Sequence, residues 1–131
     1  NLIVKKIVVS GSASLQTELK DLVENLKNKY IVLDYPKAIS IENFENVYPN
    51  IHKNFYQNIC DADILLLANY DKKGIKGYIG PAGFAELSFA VTQNLNYNKN
   101  IEVYILQMPS KNVQCYEEIS LWLSLGWVKF W

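Results

Sequence analysis

Between Ile79 and Val91, Glu86 is the sole charged side chain, and its neighbours on every side are apolar or small. A helix that is hydrophobic all round is buried, and an ionised carboxylate buried without partners costs several kcal/mol. Glu86 must therefore reach a polar crevice or a hydrogen-bond network. It also falls in the first turns of a predicted helix, where the macrodipole favours a negative charge by about 0.3–1 kcal/mol. That setting suits a carboxylate nucleophile, and it equally suits a glutamate that caps backbone amides at a helix start. Ahead of it, Gly74, Gly77, Gly80 and Gly83 allow close approach of a ligand to the backbone, or serve as ordinary turn residues. Ser10, Gly11, Ser12 and Ser14 offer hydroxyls and amides to the same crevice, or a plain helix cap. Lys72, Lys73 and Lys76 read either as a solvated basic loop or as an attractor for phosphate. His52 is the one histidine, a surface or packing residue or else a base. Asp61 and Asp63 read as turn formers, one of which could line the crevice. With no second histidine and no paired cysteines, a metal site has little support.

Composition narrows the partners. All thirteen basic residues are lysine, balanced by thirteen acids, so the formal charge is zero. No long-range field exists to hold nucleic acid or an anionic membrane surface, and no guanidinium is present to clamp a phosphate or carboxylate. Half the residues are hydrophobic, which predicts a folded domain rather than disorder. The length predicts one domain, residues 1–131. Cys60 and Cys115 form no C-x-x-C pair, which fits a reducing cytoplasm. Lys5 and Lys6 interrupt any signal-peptide core, and no apolar run is long enough to span a membrane, so neither export nor embedding is expected. Trp122, Trp127 and Trp131 crowd the C-terminal stretch, as core residues, as an interface between copies, or as a surface for base stacking.

The elements that must position these groups alternate. Ile3–Val9 reads as a buried strand running into a small-residue loop, and Leu15, Leu19, Leu22, Val23 and Leu26 recur at helical spacing, with Ser12 or Ser14 as N-cap. Tyr30–Leu33 is a second strand, and Pro36–Pro49 reads as irregular. Ile51, Phe55, Tyr56 and Ile59 predict a helix, and Ile64–Ala68 a third strand. After a loop from Asn69 to Gly80, Pro81–Gln93 predicts a helix and Ile101–Leu106 a fourth strand. Glu117–Leu123 reads as a short helix and Trp127–Phe130 as a weak final strand. Near-continuous apolar strands alternating with helices predict a doubly wound α/β fold, a parallel sheet with helices on both faces. Ligands of such sheets bind outside the carboxyl ends of the strands, which puts the chemistry in the loops after Val9, Leu33, Ala68 and Leu106.

The stretch from Ala62 to Gly80, containing N-Y-x-K-x-G-x-x-x-Y-I-G at Asn69–Gly80, followed by Glu86 and Ala90, resembles the nucleoside 2-deoxyribosyltransferase-like superfamily. The likeness is strongest from Asp63 to Ala90 and closest to a bacterial branch carrying that motif. It implies a flavodoxin-like domain in which Glu86 attacks C1′ of a nucleoside, releases the base, and passes the sugar to another base or to water. It further implies a pocket shaped by Ser10, Gly11, Ser12, Asn69, Tyr78, Gly80 and Gly83, a nucleoside or nucleotide-like small molecule as ligand, no metal or other cofactor, and a homodimer or larger homo-oligomer. Where the established transferases carry Asp six residues before the nucleophile and Gly-Thr just ahead of it, this chain has Gly80 and Ala82-Gly83. The alternative expectation is a non-catalytic module that uses the same crevice to sense a nucleotide-like ligand.

Overall fold

In the computed structural model, which describes residues 3–131, five strands form one all-parallel sheet in the order β2-β1-β3-β4-β5. The strands are β1 (Lys6–Ser10), β2 (Ile31–Asp34), β3 (Ile64–Leu67), β4 (Glu102–Ile105) and β5 (Lys129–Phe130). The helices between them are α1 (Gln16–Leu26), α2 (Phe44–Asp61), α3 (Pro81–Tyr97) and α4 (Tyr116–Ser124). This is the doubly wound, flavodoxin-like arrangement, with the first strand beside the third and the strand order reversing at that point.

Strand alternation divides the core. Ile7, Val9, Ile64 and Leu66 face α1 with Leu19, Val23 and Leu26, whereas Val8, Leu65, Leu67, Val103 and Ile105 face α2, α3 and α4. Both clusters are buried, as a parallel sheet covered on two faces requires. Ser10 keeps the parity of Val8, so its hydroxyl falls on the face covered by α3. Leu87, wholly buried on α3, fixes that helix against the sheet and contributes about 2–3 kcal/mol.

Two local expectations are corrected. The segment expected to be irregular up to Pro49 is half helical: a 3₁₀ turn at Ile41–Asn43 leads into α2, which begins at Phe44 and runs through Pro49. Proline inside a helix removes one backbone bond and costs about 3 kcal/mol, but Pro49 is exposed, so the carbonyl it leaves unbonded faces water. Aromatic side chains four residues apart offset the loss: Phe44 stacks on Tyr48 at 5.2 Å and His52 on Tyr56 at 4.4 Å. Nor does a serine cap α1, whose cap position is Leu15; the Ser12 hydroxyl is engaged elsewhere. Asp61 and Asp63 lie before β3, with Asp63 accepting from the Lys6 amide, at the end of the sheet away from the crevice.

Candidate active site

The carboxyl ends of β1, β2 and β3 open into a cavity of about 840 Å³. Glu86 enters it from the second turn of α3, and Ser10, buried at the end of β1 behind the lining, donates its hydroxyl to Glu86 Oε1. Ser10 is fully buried and Glu86 half-buried. Burial pushes the Glu86 carboxyl up to about 7; the Ser10 hydrogen bond opposes that rise, and the negative charge of Asp34 adds to it. No lysine is paired with Glu86 in the structure, so desolvation prevails.

Asp34 is the second carboxylate of the cavity, and the sequence reading passed over it. Its Oδ1 accepts from the Tyr35 amide at 2.9 Å and from Lys37 at 3.4 Å, while Oδ2 accepts from Asn58 of α2 at 2.9 Å. In the β1–β2 pairing Ile7 opposes Val32 but Val8 opposes Asp34, a slip of one residue. Leu33 packs on the α2 side, so plain alternation would turn Asp34 toward α1; the irregularity at the strand end leaves it on the cavity side. Asp34 directly follows Leu33, the strand end already marked as a place for chemistry, which was the available signal.

One wall of the cavity is aromatic. Phe44, Tyr48, His52 and Tyr56 follow one another at helical spacing along α2, and Tyr56 meets Phe89 of α3 edge-on at 4.9 Å. The Tyr56 hydroxyl is held above its ordinary range, first by burial and then by the charge of Glu86. That coupling ties the wall electrostatically to the carboxylate. A flat, π-bearing group fits such a surface, since stacked aromatic pairs gain roughly 0.5–1.5 kcal/mol beyond their burial. Elsewhere in the cavity, Lys72 donates to the Ser12 hydroxyl at 2.6 Å and lies over the Tyr78 ring at 5.2 Å.

Gly11, Ser12, Tyr78, Gly80, Gly83 and Glu86 are thus gathered around one space, His52 and Lys72 join them, and Ser10 reaches it only through its bond to Glu86. Asn69 is buried beside that space rather than in its lining. Its amide nitrogen donates to the Gln107 and Gly77 carbonyls, and its oxygen accepts from the Leu106 amide. Asp71 adds bonds to the Gly77 amide and the Gln107 side chain. The loop after β3 is thereby pinned to the loop after β4. Gly77 is required there: its φ is +62°, and a Cβ would stand 2.8 Å from Pro109 Cα. Pinning the loop orients Tyr78 and Gly80 and delivers α3 with Glu86 toward Ser10. Gly83 presses α3 onto β3, since a Cβ there would meet Leu67 Cδ1 at 3.2 Å.

Of the three tryptophans, Trp122 packs against the core and stacks on Phe84 at 5.3 Å. Trp127 and Trp131 are 37% and 46% exposed, and Trp131 covers Tyr104 and Tyr30 on the α1 face. Among the described residues, no three His, Cys, Asp or Glu side chains gather as a metal site would need. No described helix is long and apolar enough to cross a membrane. No protein-family model matches the chain, and no curated protein matches it.

Proposed function

We propose that the protein acts on an N-glycosidic bond of a nucleoside, a nucleotide or a related metabolite, with Glu86 as nucleophile. The observation that carries this reading is a half-buried carboxylate bonded to a buried hydroxyl in a cavity that also has an aromatic wall. The cavity volume lies within the range of small-molecule sites. The likeness of the Asp63–Ala90 segment to deoxyribosyltransferases supplies the same assignment.

In this reading the base lies along the α2 wall and the sugar against Glu86. Ionised Glu86 attacks C1′ as the bond to the base breaks, through a transition state with positive charge on the sugar. The Ser10 hydroxyl keeps the attacking carboxylate in one orientation, and the fixed negative charge of Asp34 stabilises the cationic sugar. An acceptor base or water then attacks C1′ of the glycosyl ester and restores Glu86, with overall retention.

A screen of nucleosides and nucleotides for free base by mass spectrometry, with and without an acceptor base, tests the reading. A 2′-fluoro-2′-deoxynucleoside destabilises charge at C1′ and should leave its sugar on the protein, on the peptide containing Glu86. An adduct on another residue refutes the assignment. Ligand binding without turnover of any substrate would establish the alternative, a module that senses a nucleotide-like ligand; Asp34 supports it, because both its oxygens are already engaged by donors of the protein itself.

A further inference from the structure

A base that leaves C1′ takes the bonding electron pair with it, so a neutral substrate needs a proton on the departing ring. The cavity offers few groups able to give one. Both oxygens of Asp34 already accept hydrogen bonds, from Asn58, the Tyr35 amide and Lys37. Lys72 is committed to Ser12 and the Tyr78 ring, and an ammonium is a weak acid near neutrality. Tyr56 holds its proton more firmly than an ordinary phenol because of burial and the Glu86 charge. Glu86 is occupied as nucleophile. His52 stands in the middle of the aromatic wall, and imidazole is the side chain that most readily holds and gives a proton near neutrality.

We propose that His52 is the catalytic acid that protonates N7 of a departing purine. The inference rests on the N-glycosidic reading of the same cavity. Tyr56 stacks on the His52 ring at 4.4 Å and fixes its plane, and the Tyr48 hydroxyl lies 3.2 Å from His52 Nδ1. With Nδ1–H donating to Tyr48, Nε2 is the atom that exchanges its proton, and Nδ1–H is kept in both charge states. In the first step the Glu86 carboxylate forms the bond to C1′, the C1′–N9 pair passes into the purine, and the Nε2 proton of the His52 imidazolium goes to N7. The products are a glycosyl ester, a neutral purine and a neutral imidazole. In the second step water attacks C1′, Nε2 takes its proton, and the Glu86 carboxylate departs. The wall of four ring-bearing side chains on α2 and the cavity volume leave room for a bicyclic base. Beyond Tyr48 and Tyr56, the charged and titratable groups sharing the cavity are Asp34 at the end of β2, Tyr35 and Lys37 just after it, Lys72 and Tyr78 from the loop after β3, and Glu86 from α3.

Methylation separates this role from a packing role. The cation 7-methyl-2′-deoxyguanosine already carries its charge at N7 and releases a neutral base without a proton, whereas 2′-deoxyguanosine requires one. His52→Gln should lower kcat on 2′-deoxyguanosine by about 100-fold more than it lowers kcat on the methylated nucleoside. Added imidazole should restore part of the lost rate in His52→Ala with 2′-deoxyguanosine alone. Equal losses on both substrates, or no loss on either, overturn the proposal and leave the Glu86 assignment standing. Turnover of neither purine by the unaltered protein also overturns it, while the broader nucleoside screen decides separately whether the N-glycosidic reading holds. Loss of both activities in Glu86→Gln with selective loss in His52→Gln is the pattern expected if both are right.

Discussion

Two glutamates on consecutive elements of the chain, α3 and β4, meet opposite fates. Glu102 opens β4 at the amino end of the strands, where Lys5 donates to it at 2.7 Å and the Tyr104 hydroxyl at 2.9 Å. Those partners hold its carboxyl below the ordinary range. Glu86 stands at the carboxyl end, half-buried, with one hydroxyl bonded to it and a second carboxylate in the same cavity, and its carboxyl is pushed up to about 7. A second cleft of about 410 Å³, between the end of α3 and the starts of β4 and β5, is lined by Glu102 together with Asn94, Lys99, Asn100 and Lys129, so that its carboxylate has cations in the same cleft. Water and a flexible lysine satisfy a surface charge at little cost, whereas a charge left without a cation in a crevice burdens the fold. Such a burden is what a functional carboxylate carries, because its perturbed environment is also what tunes it.

The largest effect should come from Glu86→Gln. The amide keeps the volume and can still accept the Ser10 hydrogen bond through its oxygen, so the fold should persist. Base release should fall by at least about 1000-fold, because the attacking charge is gone. In the unaltered protein the same carboxylate must be ionised to attack, so release from 7-methyl-2′-deoxyguanosine, which needs no proton, should rise with pH through about 7. Single-turnover rates measured across pH check both statements. An active Glu86→Gln protein would remove the functional distinction between the two glutamates.

The stability of the same pair of proteins gives the next effect, opposite in sign. A carboxyl raised from its ordinary 4.5 to about 7 binds its proton more tightly in the folded chain than in the unfolded one. Its contribution is therefore fully present below 4.5 and is lost as pH rises to about 7, a change of about 3 kcal/mol. Glu86→Gln has no such loss. Urea unfolding should find the two proteins similar in stability at pH 4.5 and the variant more stable by about 2–3 kcal/mol at pH 8. A difference that does not change with pH would show that Glu86 is not desolvated.

Much of this arrangement was legible in the residues. Apolar strands alternating with helices gave the parallel sheet, and one charge in an apolar helix marked Glu86. Ser10 could be placed because adjacency of the first and third strands brings the end of β1 to the start of α3. What escaped did so for physical reasons. Pro49 normally ends a helix, and that rule hid the first turns of α2, and with them the spacing of four that joins Phe44, Tyr48, His52 and Tyr56. Asp34 escaped because a one-residue register slip, invisible in an alternating pattern, decides which side of the sheet it serves. Asn69 belongs to a clamp between two loops distant in sequence, which no local pattern announces.

Gly80 and Gly83 divide the site into lining and support on a smaller scale. At Gly80 φ is −82°, an ordinary value for any residue, and a Cβ would meet only the Tyr78 ring, at 3.4 Å. Gly80→Ala should fold normally and weaken ligand binding by placing a methyl beside the cavity. At Gly83 the Cβ would stand 3.2 Å from Leu67 Cδ1, which must give by a few tenths of an ångström, so Gly83→Ala should forfeit the roughly 0.5–1 kcal/mol that alanine otherwise gains over glycine in a helix. Thermal unfolding and ligand titration on both variants separate the two roles. Equal loss of stability in both would make Gly80 a packing residue as well.

The smallest effect belongs to the Lys5–Glu102 pair. Its side chains are 52% and 42% exposed, so solvent and salt screen their attraction, and each long side chain gives up rotamer freedom to hold the contact. Because the Glu102 carboxyl is lowered on folding, its contribution is present above the ordinary carboxylate range and is lost as pH falls through the lowered value. That direction opposes the one for Glu86, so acid weakens one end of the sheet while it relieves the other. Glu102→Gln should therefore shift the unfolding midpoint slightly at neutral pH, less at high ionic strength, and not at all once acid has protonated the native carboxylate. Base release should be unchanged, since neither Lys5 nor Glu102 lines the cavity. Unfolding curves at low and high salt and at two pH values provide the check. A large, salt-insensitive loss would mean that the amino end of the sheet depends on this pair far more than its exposure allows.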